Sequence, residues 1–256
     1  MERARALLED RALGRRIVGV DDADTWVCRP HVPGDIAAAL LGTRLTAARR
    51  RGKAMWLETD DGEGPILGIH LGMSGRIVVD DAEAGDPRDA AEGGNPGRWD
   101  RFALTFEDGG RVALRDKRRL GRVRLEPDLG GVGPDAATIG RVAFAERVGR
   151  GAAPIKARLL DQSAVAGVGN LLADEALWRA RIDPRRAAGD VAGDELDRLW
   201  RAVRAATRDA IRLGGAHTGR VIPFRRPGAS CPRCGAEMAR ANVGGRTTWW
   251  CPREQR

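Results

Sequence analysis

An α+β, multidomain fold is what this sequence predicts: an N-terminal antiparallel β-sandwich, then a helical domain, then a small C-terminal β-hairpin. Three observations carry that reading. Between residues 16 and 125, short runs alternate apolar and polar side chains with period two, broken by the turns Asp60-Asp61-Gly62 and Asp108-Gly109-Gly110. From Gly130–Pro134, which reads as a linker, the apolar period becomes helical and stays so through Gly214. The last 40 residues are too few for a core of their own, yet hold three of the four cysteines.

The elements follow in order. Residues 2–13 read as a helix, 16–20 as a strand, and 33–41 as a second helix opened by Pro33. Strands are expected at 44–49, 55–58, 66–71, 75–79, 102–106, 112–115 and 121–125. Residues 80–97 are acidic, Gly/Pro-rich and aperiodic, and so predict a mobile surface loop. In Ile155–Pro184 two apolar-periodic helices meet at Gly167-Val168-Gly169-Asn170. Glycine permits the joint, and Asn170 is placed to cap the second helix. Domain boundaries are expected at 1–129, 130–218 and 219–256.

Composition narrows the function. No run approaches the ~20 apolar residues of a membrane span, and the charged N-terminal helix lacks a signal peptide's apolar core. The net charge is +8. Residues 201–256 carry 12 Arg against Asp209, Glu237 and Glu254, which is +9, so the first 200 residues sum to −1. A cationic tail of this kind fits a polyanion partner, above all nucleic acid, although an Arg-rich coding bias would give solvated faces of the same sign. Only Lys53, Lys117 and Lys156 stand against 41 arginines. An ammonium can give up its proton and a guanidinium cannot, which makes Lys53 a candidate for chemistry.

Several words carry chemistry. Cys231-Pro-Arg-Cys234, sixteen residues, then Cys251 is the spacing of a zinc ribbon, with Glu254 where a fourth cysteine would stand. Structural Zn2+ on Cys231, Cys234, Cys251 and Glu254 is one reading; a metal-free ribbon packed by Trp249 and Trp250 is the other. Cys28, alone, reads as a small buried hydrophobe. His70-Leu71-Gly72-Met73-Ser74-Gly75 joins two strands, and Met73 there is either a core residue or an exposed apolar wedge. Arg49-Arg50-Arg51-Gly52-Lys53 is either a solvated basic edge or a site lysine with its cationic surround.

The wording of Ile155–Pro184, IKARLLDQSAVAGVGNLLADEALWRARIDP, closely resembles the helix–two-turn–helix segment of the formamidopyrimidine-DNA glycosylase and endonuclease VIII family. Asp116-Lys117-Arg118-Arg119-Leu120-Gly121 resembles that family's D-P-R-R-F-G loop, and Arg50-Arg51-Gly52-Lys53 its R-R-G-K segment. GGRTTWWC resembles the ribbon hairpin whose Arg contacts phosphate, here Arg246. The matches run in order from the first helix to the last cysteine.

The resemblance implies a base-excision-repair DNA glycosylase with AP-lyase activity. Double-stranded DNA holding a damaged base or abasic site would lie kinked between lobes, with one base flipped out. It assigns Met73 to the gap left by that base, His70 to a nearby phosphate, Arg118 to the orphaned base, and Leu120 to the place of an intercalating Phe. Lys156, Asn170 and Arg246 become the phosphate grip and Lys53 a pocket residue. A monomer in the cytoplasm, associated with the nucleoid, is the implied setting. The family's oxidised-purine enzymes carry a long capping loop between the last helix and the ribbon. Only fifteen residues separate Gly215 from Cys231, which argues against 8-oxoguanine as the lesion.

The family begins M-P-E-L-P-[ED]-V-E. Its proline amine attacks C1′, the adjacent Glu moves protons, a Schiff base forms, and β,δ-elimination cuts the strand. Aligned through Gly14-Arg15-Arg16-Ile17, Met1 falls on the family's Val and Glu2 on its last Glu. Either six residues precede this Met in the natural protein, or the chain is a non-catalytic relative that recognises bent, damaged or abasic DNA. A third account makes Lys53 a substitute nucleophile.

Overall fold

The computed structural model describes residues 1–84 and 96–256. The chain divides into two compact units, Met1–Leu129 and Gly130–Arg256.

The first unit is a sandwich of two antiparallel sheets. Helix α1 (Glu2–Arg11) leads into β1 (Ile17–Asp21), α2 (Asp35–Leu40), and the consecutive strands β2 (Leu45–Arg51), β3 (Ala54–Thr59) and β4 (Leu67–His70). Then come β5 (Arg76–Val79), β6 (Ala82–Ala84), β7 (Asp100–Phe106), β8 (Arg111–Arg115) and β9 (Arg122–Leu125). One sheet runs β1-β7-β8-β5-β6 and the other β2-β3-β4-β9. The period-two signal is literal in β3, where Met55, Leu57 and Thr59 are buried and their neighbours are not. Burying a side chain such as Leu57 stabilises the sandwich by about 1.5–3 kcal/mol. Ala4 and Leu8 of α1, one helical turn apart, enter the same core as Ile17, Ile36, Phe102 and Phe106. Asp22, nearly buried, caps α2 from a distance: its carboxylate accepts the amides of Gly34, Ile36 and Ala37 at 2.9–3.2 Å.

One detail differs from expectation, and Cys28 agrees with it. Residues 82–84 do not belong to an irregular loop; they pair with β5 as an edge strand. Of the same expected loop, 96–97 begin a short 3-10 turn, Pro96–Trp99, and residues 85–95 lie outside the described residues. Cys28 is fully buried, and burial and three nearby aspartates push its thiol up to about 12, as befits an inert core residue.

The second unit holds α3 (Arg141–Val148), α4 (Ile155–Leu160), α5 (Asn170–Ala180) and α6 (Asp194–Leu213), followed by the hairpin β10 (Ala239–Val243) and β11 (Arg246–Trp250). In α6 the buried face is Leu196, Leu199, Ala202, Val203 and Ala206, a helical stripe. Asp194, Glu195 and Asp197 sit at its positive end, and Gly214 closes it at φ 98°. The ribbon does not stand apart from the helices: Trp178 of α5 shares one apolar cluster with Val221, Cys231, Met238, Trp249 and Cys251. Residues 219–256 thus lie inside the second unit.

Candidate nucleic-acid interface and metal site

In the first unit two loops meet at the end of the β4 sheet. Gly72 has φ 62°, and a Cβ there would stand 2.6 Å from the backbone of Leu120, so the loops touch main chain to main chain. Asp116, almost wholly buried, organises the second loop. Its Oδ2 accepts the amide of Gly121 at 2.6 Å, and its Oδ1 accepts the amide of Arg118 and the hydroxyl of Ser74, each at 3.2 Å. Arg118 Nε then donates to Ser74 Oγ at 2.8 Å. With both loops fixed, Met73 is left 73% exposed and Leu120 42% exposed on the same edge. An apolar side chain held in water on fixed loops is available to pack against a ligand. Of the two sequence readings of Met73, the core residue is the one excluded.

His70 ends β4. Its Nδ1 accepts the amide of Gly72 at 3.0 Å, so the neutral ring carries its proton on Nε2. Burial, then the charges of Lys53 and the amino terminus, hold its pKa below the ordinary histidine value. The ring is therefore a neutral donor, and Lys53, on the β2–β3 turn, is its electrostatic neighbour. Glu2 bridges Arg5 at 2.8 Å and Arg50 at 2.5 Å; burial works against its ionisation, but those two guanidiniums outweigh it.

In the second unit the turn between α4 and α5 is tied by Gln162, which sequence reasoning missed. Its amide donates to the carbonyls of Leu160 and Val168 at 2.8 and 2.9 Å and accepts Gly167 N–H at 3.0 Å. Asn170 corrects an expectation. The cap position is Gly169, and Asn170 is the first helical residue, its Nδ2 donating to Thr247 of the ribbon at 3.1 Å. Gly244 and Gly245, both at positive φ, turn the hairpin; a Cβ on Gly244 would stand 2.9 Å from that of Ala157, so the tip rests on α4. Asn170 and the exposed Arg246 are thereby brought to one face.

Lys156 is the larger correction. It is wholly buried, 2.6 Å from the Asp174 carboxylate and 2.6 Å from the Thr248 hydroxyl. The other Asp174 oxygen accepts Arg225 Nε at 2.7 Å. Burial pulls the Lys156 ammonium below its ordinary range despite Asp174. An ammonium so enclosed holds the ribbon to the helices and is not on the surface as a phosphate grip. The signal for Asp174 was present but unread: two adjacent acids, Asp174 and Glu175, interrupt an apolar helix, and both are buried.

The three ribbon thiols converge, with Sγ atoms of Cys231, Cys234 and Cys251 within 4.8 Å of one another. Trp178 Nε1–H and the amide of Glu254 donate to sulfur, at 3.5 Å to Cys231 and 3.4 Å to Cys251. Burial opposes ionisation at Cys231, but the Trp178 indole and knuckle amides draw it down to about 7. Burial holds the Cys251 thiol the other way, up to about 11, so it is the convergence of three sulfurs that suits a metal ion. Glu254 is corrected as a ligand: its carboxylate is not in the cluster and faces Arg233 at 3.4 Å and Arg181 at 3.5 Å. Among the described residues, the cluster supplies three ligands.

The exposed apolar edge beside Arg118 in the first unit and the exposed Arg246 on the ribbon of the second each suit one class, the nucleic-acid-binding proteins. Comparison with known proteins narrows it. Sequence profiles of the formamidopyrimidine-DNA glycosylase N-terminal domain and H2TH domain match residues 1–123 and 131–221. A formamidopyrimidine-DNA glycosylase of Roseiflexus sp. is 36% identical over 95% of this chain and 93% of its own length. One of Paracoccus denitrificans is 38% identical over 93% and 92%. The Lactococcus lactis Fpg structure in complex with abasic-site DNA superposes with a TM-score of 0.81 at 25% identity, covering 100% of this chain and 97% of that one. The chain belongs to the formamidopyrimidine-DNA glycosylase family.

Proposed function

We propose that this protein is a base-excision-repair DNA glycosylase with AP-lyase activity, acting as a monomer on double-stranded DNA that contains a damaged base or an abasic site. The observation that carries it is the joined pair of loops, which leaves Met73 and Leu120 exposed beside Arg118. Supporting it, the solved relative binds abasic-site DNA.

In this reading Met73 enters the stack as the damaged nucleotide leaves it, Leu120 wedges the opposite side, and Arg118 meets the orphaned base. His70 donates Nε2–H to a phosphate near the lesion. Asn170 and Arg246 hold phosphates from the second unit, and Lys53 supplies positive charge where the sugar–phosphate is attacked. In the family the amine nucleophile and its acidic partner are the first residues; among the residues of this chain the candidate amine is Lys53. Zinc is the metal the thiolates fit; Cys231, Cys234 and Cys251 would hold it, and its chemistry there is structural, keeping the hairpin that presents Arg246 in shape.

The segment between α6 and the ribbon supports a lesion other than 8-oxoguanine. It is anchored on α5, with Val221 buried and its amide donating to Glu175 at 2.9 Å, which favours a short connection over a long capping loop.

The deciding experiment is borohydride trapping on an abasic-site duplex, with the covalent peptide mapped. A trapped complex and strand cleavage are expected. Tight binding to the abasic duplex with no trapping under any condition would leave only the non-catalytic DNA-binding reading.

A further inference from the structure

Beside the Asp116–Gly121 loop lies a feature that no part of this chemistry uses. Trp26 is 51% exposed, an unusual state for so large an apolar side chain. It is not loose. Asp24 Oδ1 accepts the amides of Trp26 and Val27 at 3.1 and 3.0 Å, and the indole Nε1 donates to the Arg119 carbonyl at 3.0 Å. Val27 in turn accepts the amide of Val123 at 3.0 Å, tying the segment to β9.

Two arginines use this ring as a mount. The Arg29 guanidinium lies 3.8 Å from the ring centroid and that of Arg122 5.4 Å. Each spends one nitrogen on a backbone carbonyl: Arg29 Nη1 on Trp26 at 2.7 Å, and Arg122 Nη1 on Gly121 at 2.6 Å. Neither has a carboxylate partner among the described residues. Arg119, the third cation, is paired with Asp24 at 2.7 Å. Guanidiniums stacked on a fixed aromatic plane have already lost much of their side-chain freedom, so binding an anion costs them less. Two such cations on one plate call for two anionic groups at fixed spacing. A nucleic-acid backbone has that form.

We propose that Arg29 and Arg122, mounted on Trp26, form an outer phosphate-binding surface for the DNA strand that carries the orphaned base. It extends the interface outward from Arg118 along β9. This rests on the DNA-binding reading above, because Arg118 and Leu120 set which strand passes here. Direct continuity supports the placement: Arg119, whose carbonyl holds the indole, sits between Arg118 and Leu120 in sequence.

The test uses the full chain and duplexes with a tetrahydrofuran abasic analogue, lengthened stepwise on each side of the orphaned base. Binding is titrated over a range of salt concentrations. For the wild type, the log–log salt slope should steepen once one arm reaches the plate. The double variant Arg29→Gln/Arg122→Gln should lose about two from that slope on long duplexes and nothing on the shortest. Trp26→Phe, which keeps a ring but not the indole bond, should show a smaller loss in the same direction. Far-UV circular dichroism and melting confirm that each variant is folded. If the double variant, folded, keeps the wild-type slope on every duplex, the surface is not a phosphate site. If the wild type itself binds none of the duplexes in a salt-dependent way, the DNA-binding reading fails instead, and with it this extension.

Discussion

The Lys156 ammonium stands 2.6 Å from the Asp174 carboxylate, with both side chains shut away from water. Thr248 and Arg225 complete the cluster, so one carboxylate answers two cations from different parts of the second unit. Asp174→Asn leaves both cations enclosed without a counter-charge and should cost about 3–5 kcal/mol. Lys156→Met/Asp174→Leu/Arg225→Leu removes both cations with their shared counter-charge and should recover most of that loss. Urea denaturation of the three proteins checks both. Equal stability of wild type and Asp174→Asn would mean that the pair does not hold the ribbon.

Phosphate gripping by the ribbon hairpin is read from salt. Arg246 is exposed, and its Nη1 donates to the Gly245 carbonyl at 3.3 Å. Arg246→Ala should weaken binding to all duplexes alike and lower the log–log salt slope by about one. An unchanged slope removes Arg246 from the interface.

Metal content tests the thiolate cluster. Freshly purified protein should hold about one zinc per chain. Because the Glu254 carboxylate is engaged by Arg233 and Arg181, Glu254→Ala should retain the ion, and Glu254→Cys should bind it more tightly in competition with a chromophoric chelator. Loss of zinc from Glu254→Ala would show that the carboxylate turns to the metal.

For His70 the sign follows from its lowered pKa in the folded protein. As pH falls below about 6.5, the unfolded chain takes up the proton first. Stability should therefore fall with pH between about 6.5 and the lower folded-state value, with no His70 effect above that window. His70→Gln should flatten this part of the stability–pH curve. A wild-type curve already flat there would mean the ring is not shielded as described.

The strands were legible because a half-buried sheet writes its geometry directly into alternation: Met55, Leu57 and Thr59 point inward in sequence and in space. Met73, Arg118 and Leu120, singled out from separate words of the sequence, do meet at one edge. What sequence could not show was who takes each polar group. Lys156 reads as a clamp until Asp174 and Thr248, eighteen and ninety-two positions away, enclose it. Glu254 stands at the fourth ligand position by spacing, but spacing does not reveal that two arginines compete for its carboxylate. The edge strand at 82–84 was hidden in a short, acidic stretch with no period to read.

The meeting of Gly72 with the Leu120 backbone has a consequence for anyone who would alter this protein. A bulkier side chain at Met73 can be accommodated outward, but any residue with a Cβ at position 72 drives the neighbouring loop away. The two loops are therefore inherited as one piece. Grafting either alone from a relative should yield a misfitted edge, whereas exchanging both as a cassette preserves their common surface while changing the chemistry displayed on it.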